Sequence, residues 1–400
     1  MKNRNRYLIL IAGMVIQFCA GIIYMWSVFK GPVSDHLSWS ADSAALTSSI
    51  MLAMFVIGII FGGLAQDKLG PKGITFVGSV LIGVGMASTA FITNNAPWLV
   101  YITYGIVGGL GVGTVYTSTI AAIQKWFPDR RGFASGMIVS SFGFSLVVFA
   151  PLAKSMLAGR GVQSTFLIFG VSFLVVCGIC SLFIQNPPEG YAPSGYVPVQ
   201  AANTKRQYSP KEIIKTKQFY LLVGGLLFTL PAYFILNPVF ISLGTVRGLS
   251  EELALLGVSL TGVSSAAGRL IVSWVSDKTG RKAAMIAIAA IILCASMIMI
   301  VGEGILFLIC IMLISFGFGG AASVYAAMTA ESFGTRYGGM NFGLVMLGFG
   351  ASALAFPIIS NKLTVGGSYT SSFVLAAATC AVAVIFVLLM NNPAKSISKK

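Results

Sequence analysis

The sequence predicts an all-α membrane protein in which twelve transmembrane helices form two pseudo-symmetric six-helix bundles. Three observations lead to this fold class: the composition, a series of twelve long apolar runs, and an internal repeat. Of the 400 residues, 56% are hydrophobic and 9% are charged. A soluble globule carries about 25% charged residues, so this chain has too few charges to cover the surface of a soluble protein.

The twelve apolar runs are each long enough to cross a bilayer, which takes about 20 helical residues. They also lack the alternation typical of membrane β-barrel strands. The first run follows basic residues, as in a signal peptide, but its apolar stretch is too long and has no cleavage site, so we expect it to be retained. The runs, named spans 1 to 12, lie at about 7–30, 44–66, 73–93, 97–123, 133–153, 164–185, 218–243, 252–275, 283–301, 304–328, 338–361 and 369–390.

The basic residues predict the orientation of the spans. The 26 Lys and Arg and 11 Asp and Glu give a net charge of +15, which in a soluble protein would indicate nucleic-acid binding. Here most of the Lys and Arg lie at the two termini and in every second loop, which we name the basic side. Cytoplasmic loops carry this excess. We therefore expect both termini in the cytoplasm, a multi-pass protein of the inner (cytoplasmic) cell membrane, no nucleic-acid partner and a monomer.

The longest hydrophilic stretch divides the chain near its middle. We predict an N-terminal six-helix bundle at 1–185, a cytoplasmic linker at 186–217 and a C-terminal six-helix bundle at 218–400. The linker is rich in proline and basic residues, which favours irregular structure. Within it, Ser209 as N-cap and Pro210 at the first helical position predict a short surface helix.

Polar motifs repeat between the two halves. Span 2 ends in Gly63-Leu-Ala-Gln-Asp-Lys-Leu-Gly70 and span 8 in Ser273-Trp-Val-Ser-Asp-Lys-Thr-Gly280, with the aspartates 210 residues apart. After spans 4 and 10, Phe127 and Phe333 begin similar segments 206 residues apart. Two six-span halves in the same orientation predict a pseudo-two-fold axis along the membrane normal and a cavity between the halves.

These loops resemble the signature of the major facilitator superfamily, and the resemblance covers about residues 7–390. Pro71 replaces the usual basic residue in the first copy, and Ser273 replaces a glycine in the second. The resemblance implies a gating role for the loops, in which Asp67 and Asp277 face helix ends of the neighbouring bundle. The gating residues that it implies are Asp67, Lys68, Asp277, Lys278 and Arg281.

One charged residue lies inside a span. All eleven acidic residues fall in loops or at span ends, whereas Arg269 lies about two-thirds of the way along span 8. A central arginine costs at least about 3 kcal/mol in a bilayer, and its planar fork matches a carboxylate. Arg269 therefore predicts an anion-binding site. The alternative is an arginine that reaches the interface, although Arg269 lies about 12 Å along the helix from Asp277.

Other side chains could complete such a site. The hydroxyls of four tyrosines could donate to a small carboxylate, although each alone is more often a packing residue: Tyr24, Tyr116, Tyr233 and Tyr325. Weaker candidates are Trp26, Asn237, Phe318 and Phe349. No span presents a catalytic constellation, and the six cysteines lie in spans without a metal-binding context. We therefore expect no enzyme activity, cofactor or metal.

Several segments resemble the oxalate/formate antiporter family, which neighbours the monocarboxylate transporters. They are Lys125-Trp-Phe-Pro-Asp-Arg-Arg-Gly-Phe-Ala-Ser-Gly136, Tyr24-Met-Trp-Ser27, Gly268-Arg269 and Asn341-Phe-Gly343. The resemblance implies that Arg269 binds a substrate carboxylate and that Tyr24 and Tyr116 line the cavity. Phe349 stands where the oxalate exchangers have a second cation, so a monoanion fits better than a dianion. Ser265 stands where proton-coupled carriers often have an aspartate.

We therefore predict a secondary active transporter of small monocarboxylates such as pyruvate, lactate or formate, working by alternating access as an anion exchanger (antiporter) or symporter. The alternatives are a superfamily transporter of drugs or neutral solutes, an oxalate/formate exchanger, and a carboxylate receptor that binds without translocation.

Overall fold

A computed structural model describes residues 5–188, 190–193, 207–236, 239–364 and 369–391. Asn237, both chain ends and the middle of the predicted linker at 194–206 lie outside the described residues. Eleven helices of the described part are long and apolar enough to cross a membrane. One of them contains two predicted spans, which accounts for all twelve.

Helices of the first half correspond to spans 1 to 6. Span 1 is the helix Arg6–Ala20, the 3₁₀ turn Gly21–Tyr24 and the helix Trp26–His36. Spans 2 and 3 are Ala41–Leu69 and Pro71–Thr89. Span 4 begins as a π-helical segment, Tyr101–Gly108, and continues as Gly109–Trp126, and spans 5 and 6 lie in Arg131–Ser181.

The helix Arg131–Ser181 has 51 residues. At 1.5 Å per residue it would be about 77 Å long, more than twice the roughly 30 Å of a bilayer core. Gly161, with φ 75° and ψ 178°, breaks it. This positive φ is readily available to glycine, so the break separates span 5 from span 6.

Helices of the second half correspond to spans 7 to 12. Span 7 is divided into Lys217–Thr229, Pro231–Leu236 and Phe240–Val246. Spans 8 to 10 are Glu251–Thr279, Arg281–Ile298 and Gly304–Phe333. Span 11 is Gly338–Val345 followed by Leu347–Leu363, and span 12 is Thr370–Leu389.

The apolar pattern did not predict the breaks in spans 1 and 7. Proline lacks an N–H donor and therefore begins helices more readily than it continues them, which explains the new helix at Pro231. The predicted surface helix is present as Pro210–Ile213. The carboxylate of Glu212 accepts hydrogen bonds from the backbone N–H and the hydroxyl of Ser209, each at 2.8 Å.

Glycines bring spans 2 and 4 into close contact. An ideal Cβ on Gly58 would lie 2.5 Å from the backbone oxygen of Leu110, and one on Gly113 would lie 2.1 Å from that of Phe55. Small residues let helix backbones approach in this way inside a membrane. No larger side chain fits at these two positions unless the helices move apart.

Spans 8 and 10 repeat this arrangement. A Cβ on Gly268 would lie 2.0 Å from the oxygen of Phe316, and one on Gly319 would lie 1.9 Å from that of Ser265. Each of these positions is related to its counterpart in spans 2 and 4 by an offset of 210 or 206 residues. The internal repeat therefore extends to the atoms that pack the helices together.

The contacts between residues divide the chain into two compact units. Unit 1 comprises Met1–Asp129, Ser141–Val197 and Thr335–Leu344, and unit 2 comprises Arg130–Ser140, Pro198–Gly334 and Val345–Lys400. The first residues of span 5 thus belong to unit 2, and those of span 11 belong to unit 1. The predicted domain boundaries do not anticipate these two segments and stay a prediction.

Candidate anion-binding site and helix caps

Arg269 is held inside unit 2 by the packing of span 8 on span 10. Its exposed fraction is only 2%. The arginine stem lies over Gly319, where an ideal Cβ would be 3.1 Å from Arg269 Cγ. The burial argues against an arginine that extends to the membrane interface, which was the alternative left open by the sequence.

The guanidinium of Arg269 bonds to the start of span 5, within the same unit. Its Nη1 donates to the backbone oxygen of Val139 at 2.8 Å. One residue later, the Ser140 hydroxyl donates to the oxygen of Ala266 at 2.7 Å. Gly136 permits this approach, because a Cβ there would lie 2.7 Å from the backbone oxygen of Arg269.

A serine pair fixes the backbone at Arg269. The hydroxyl of Ser323 in span 10 donates to the backbone oxygen of Arg269 at 3.0 Å. Ser273, one helical turn beyond Arg269, donates to the Ser323 hydroxyl at 2.6 Å. Both serines are fully buried, so these bonds set the register between spans 8 and 10 beside the arginine.

Four aromatic rings of spans 7, 10 and 11 form a cluster beside Arg269. Arg269 Cζ lies 6.0 Å from the ring centroid of Phe318, at the outer limit of a cation–π contact. Tyr233 stacks on Phe318 with centroids 3.7 Å apart. Phe234 and Phe349 lie 5.6 and 6.1 Å from the Phe318 centroid. We name Tyr233, Phe234, Phe318 and Phe349 the aromatic cluster.

This arrangement has a defined chemistry. A guanidinium can hold a carboxylate by two parallel hydrogen bonds, and aromatic faces beside it favour a short apolar tail. Among the residues that the structure describes, no group of three or more His, Cys, Asp or Glu side chains could hold a metal ion. Binding of a small organic anion by the Arg269 guanidinium and the aromatic cluster stays a prediction.

Tyr24 and Tyr116 lie together in unit 1. Their ring centroids are 5.5 and 5.2 Å from that of Phe142. Phe55 lies 5.3 Å from Tyr116. Tyr116 is buried and Tyr24 is half-buried. The two tyrosines therefore pack against the same ring, and their predicted place in the lining of the cavity stays a prediction.

Trp26 and Tyr325 make packing contacts. The indole N–H of Trp26 donates to the backbone oxygen of Ala44 at 2.7 Å. Tyr325 is 1% exposed and lies against span 7, because its hydroxyl is 2.7 Å from an ideal Cβ on Gly225. These contacts favour packing roles for both residues, and the substrate binding predicted from the sequence stays a prediction that substitution can test.

Asp67 caps the first helix of span 11 within unit 1. Its Oδ1 accepts a hydrogen bond from the backbone N–H of Gly339 at 3.2 Å, and its Oδ2 accepts from that of Met340 at 2.8 Å. A helix N-terminus carries unpaired N–H groups and a partial positive charge. The carboxylate satisfies both, and the gating role that the family resemblance implies stays a prediction. Lys68, the next residue, is exposed.

Asp277 makes the equivalent cap within unit 2. Its Oδ1 and Oδ2 accept from the N–H groups of Gly132 and Phe133, at 3.0 and 2.8 Å, where span 5 begins. Arg281 Nη2 lies 2.5 Å from Asp277 Oδ1 and 2.8 Å from Glu331 Oε1. The Asp277 cap therefore belongs to a three-residue charge network.

The neighbouring lysine has a different partner. Lys278 Nζ lies 4.1 Å from the ring centroid of Trp274, four residues earlier in span 8. Of the predicted gating residues, Asp67, Asp277 and Arg281 thus join helix ends, whereas Lys278 packs on an aromatic ring of its own helix.

Three residues that contact Arg269 or the aromatic cluster are not predicted by the sequence patterns. Val139 contributes only its backbone oxygen, which no side-chain pattern reveals. Ser323 and Phe234 look like ordinary residues of apolar spans. The repeat offsets locate where spans 8 and 10 cross, and they are the one signal that could have drawn attention to Ser323.

Comparison with known proteins agrees with this fold and these motifs. The model of the Major Facilitator Superfamily matches residues 9–305 and 222–400. The chain is 26% identical to the oxalate:formate antiporter of Oxalobacter formigenes, over 100% of this chain and 95% of that protein. It is 25% identical to monocarboxylate transporter 12 of Rattus norvegicus, over 92% and 81%.

A solved structure has the same fold. A crystal structure of the E. coli fucose:proton symporter FucP aligns with a TM-score of 0.71 at 16% identity, covering 97% of this chain and 100% of that one. At this identity the likeness concerns the fold alone. The family match spans the chain, and the all-helical architecture agrees with it. The chain therefore belongs to the major facilitator superfamily and is a multi-pass secondary transporter, not an enzyme.

Proposed function

We propose that this transporter carries small monocarboxylates of the pyruvate, lactate or formate class. The observation that carries the proposal is Arg269, a buried arginine whose guanidinium bonds to the Val139 carbonyl beside the aromatic cluster. A buried cation in a span is costly, which favours a functional role. Arginine stays protonated at physiological pH and binds carboxylates in a fixed geometry.

The aromatic cluster supports one carboxylate rather than two. Phe349 is buried and lies 5.1 Å from Phe234, at the position where the resembling oxalate exchangers have a second cation. Arg269 could neutralise one carboxylate, and the rings would accommodate a tail of one to three carbons. The names of two relatives, an oxalate:formate antiporter and a monocarboxylate transporter, agree with this class of substrate.

The membrane potential favours coupling of anion uptake to the movement of a second ion. We propose that the basic side faces the cytoplasm and that the site is exposed alternately to each side of the membrane. Inward movement of an uncompensated anion opposes the membrane potential by about 2.3 kcal/mol per 100 mV. Uptake therefore requires a second anion leaving or a cation entering, and we propose anion exchange or symport.

A thermal-shift panel tests the substrate class. Purified protein is heated with mono- and dicarboxylates of one to four carbons, and wild type is compared with Arg269→Ala and Arg269→Lys. We expect monocarboxylates to stabilise the wild type. Loss of two charge-assisted hydrogen bonds, about 3 kcal/mol or more, should weaken binding at least about 100-fold in Arg269→Ala. Arg269→Lys keeps the charge but loses the fork, so its shift should be intermediate.

Arg247 provides a matched control in the same unit. Its Nη1 also donates to backbone oxygens, those of Ile300 and Gly302 at 3.3 and 3.4 Å. Arg247→Ala removes an equal charge and similar bonds at a span end, so it should lower the melting temperature while the shift caused by monocarboxylates stays. Equal loss of the ligand shift in both variants would count against a specific site at Arg269.

Counterflow in liposomes separates transport from binding alone. Wild-type protein should exchange a labelled monocarboxylate across the membrane, and Arg269→Lys should do so more slowly. Binding without exchange would indicate a receptor. The full-length match to an oxalate:formate antiporter makes oxalate exchange the second candidate. Preference for oxalate over monocarboxylates would overturn our interpretation of Phe349, and absence of any Arg269-dependent flux would overturn the whole proposal.

A further inference from the structure

The two aspartate caps occupy equivalent positions but have different neighbours. Offsets of 210 and 206 residues relate Asp67 to Asp277, Pro71 to Arg281 and Lys125 to Glu331. The second half therefore has a cation at the start of span 9 and an anion near the end of span 10. The first half has proline and a cation at these positions.

In unit 2, Arg281 serves Asp277 in two ways. Its guanidinium donates a hydrogen bond to the carboxylate and supplies a positive charge beside it. Glu331 accepts hydrogen bonds from Nε at 3.0 Å and from Nη2 at 2.8 Å, and this same Nη2 contacts Asp277. Nη1 donates to the Ser276 hydroxyl at 2.6 Å. The Asp277 carboxylate is thus fixed by a guanidinium whose donors are themselves engaged.

In unit 1, where no arginine follows the Asp67 turn, Gln66 contacts the Asp67 carboxylate and Lys125 is a nearby cation. Gln66 is 1% exposed, and its Nε2 donates to Asp67 Oδ1. The same amide nitrogen lies against span 11, 2.8 Å from an ideal Cβ on Gly339. Lys125 is half-buried at the end of span 4, at the position equivalent to Glu331, and its Nζ donates to Asn186 Oδ1 at 3.1 Å. Its positive charge also favours the ionised form of the Asp67 carboxylate. Pro71 has no side-chain donor.

We propose that Gln66 and Lys125 are the positioning residues of the Asp67 cap and that together they replace Arg281. The amide of Gln66 supplies the hydrogen bond, and the ammonium of Lys125 supplies the charge. Position 125, which is equivalent to Glu331, can carry a cation because position 71 is a proline. No arginine is present there that would need a carboxylate to balance its charge. The cation of the Asp277 cap therefore lies at the start of span 9, whereas the cation of the Asp67 cap lies at the end of span 4.

The proposal predicts which substitutions compensate for each other. Lys125→Glu places a second carboxylate near Asp67 without a cation between them, so the cap should open. Adding Pro71→Arg supplies the missing cation and converts the first cap into a copy of the second. The backbone permits this change, because Gly70 (φ 85°, ψ 160°) and Gly280 (φ 92°, ψ 148°) precede these positions in the same conformation.

Amide hydrogen exchange on the full-length protein measures the caps directly. Exchange of Gly339 and Met340 reports the Asp67 cap, and exchange of Gly132 and Phe133 in the same sample serves as the reference. We expect Lys125→Glu to speed exchange of Gly339 and Met340 about 10-fold or more, Lys125→Met to have a smaller effect, and Pro71→Arg/Lys125→Glu to return to within about 3-fold of wild type. The reference amides should not change in any variant.

Two outcomes would overturn the proposal. One is unchanged exchange of Gly339 and Met340 in Lys125→Glu. The other is a double variant that exchanges as fast as the single one. If Lys125→Glu fails to fold, the reference amides lose protection as well, and recovery of both sets of amides in the double variant decides the question. The measurement needs no substrate, so its result is independent of the carboxylate proposal.

Discussion

Replacement of Gly319 by alanine tests whether the crossing of spans 8 and 10 positions Arg269. The new Cβ would lie 1.9 Å from the backbone oxygen of Ser265, whereas real Cβ atoms stay at least 3.0 Å from such an atom. The helices must therefore separate by the difference, about 1.1 Å. The bond from Ser323 to the Arg269 oxygen, 3.0 Å long, would then exceed hydrogen-bonding distance.

Two opposing free-energy contributions determine how much Gly319→Ala changes the stability of the protein. Overpacking of a close-packed contact costs about 1–3 kcal/mol, while alanine stabilises a helix relative to glycine by about 0.5–1 kcal/mol. We expect Gly319→Ala to lower the free energy of unfolding by about 1–2 kcal/mol. Carboxylate affinity should fall as well, because the alanine Cβ also lies 3.1 Å from Arg269 Cγ.

Thermal unfolding with and without a monocarboxylate measures both effects. Gly178→Ala in span 6 is the matched control, since its Cβ would meet only Phe76 Cε2 at 3.8 Å, and it should not lower stability. The equivalent substitution in the other half, Gly113→Ala, should destabilise like Gly319→Ala because its Cβ would lie 2.1 Å from the oxygen of Phe55. A Gly319→Ala protein with wild-type melting temperature and wild-type affinity would refute this reasoning.

Other substitutions separate packing roles from binding roles. Trp26→Phe leaves the buried Ala44 oxygen without its indole donor and should lower stability in thermal unfolding by about 1–3 kcal/mol. The rise in melting temperature caused by a carboxylate should not change. Loss of that rise would indicate that Trp26 binds substrate. Tyr325→Phe should bind carboxylates like the wild type in the same panel, since Tyr325 packs on span 7. Arg281→Lys loses the fork that joins Asp277 to Glu331 and should speed exchange of the amides that Asp277 caps, which unaltered exchange would contradict. All six cysteines are free, so alkylation of denatured protein without reductant should add six labels by mass spectrometry.

The sequence predicts the fold well because bilayer physics leaves few choices. Apolar runs of sufficient length, basic loops and the polar motifs around Asp67 and Asp277 are all local signals. Helix breaks are harder to predict. The end of the 3₁₀ turn at Tyr24 and the division of span 7 near Pro231 depend on packing, and an apolar run looks the same whether the helix is continuous or bent.

The site could be predicted only in part for a similar reason. Arg269 stands out because a charge in a span is rare and costly. Its Val139 partner is a backbone oxygen, and the stacking of Tyr233 on Phe318 joins residues 85 positions apart. Contacts of this kind depend on how helices cross. In this protein the repeat offsets and the glycines at the crossings carry some information about them.

The distribution of the chain between the two compact units has a consequence for biosynthesis. Unit 1 includes Thr335–Leu344, which is made after most of unit 2, and domains generally fold from the N-terminus during synthesis. Until this segment is inserted, Asp67 has no Gly339 or Met340 amide to accept from. An N-terminal half released at the linker would thus lack the Asp67 helix cap. Unit 1 reaches its final packing only after Thr335–Leu344 has been synthesised, which follows the synthesis of most of unit 2.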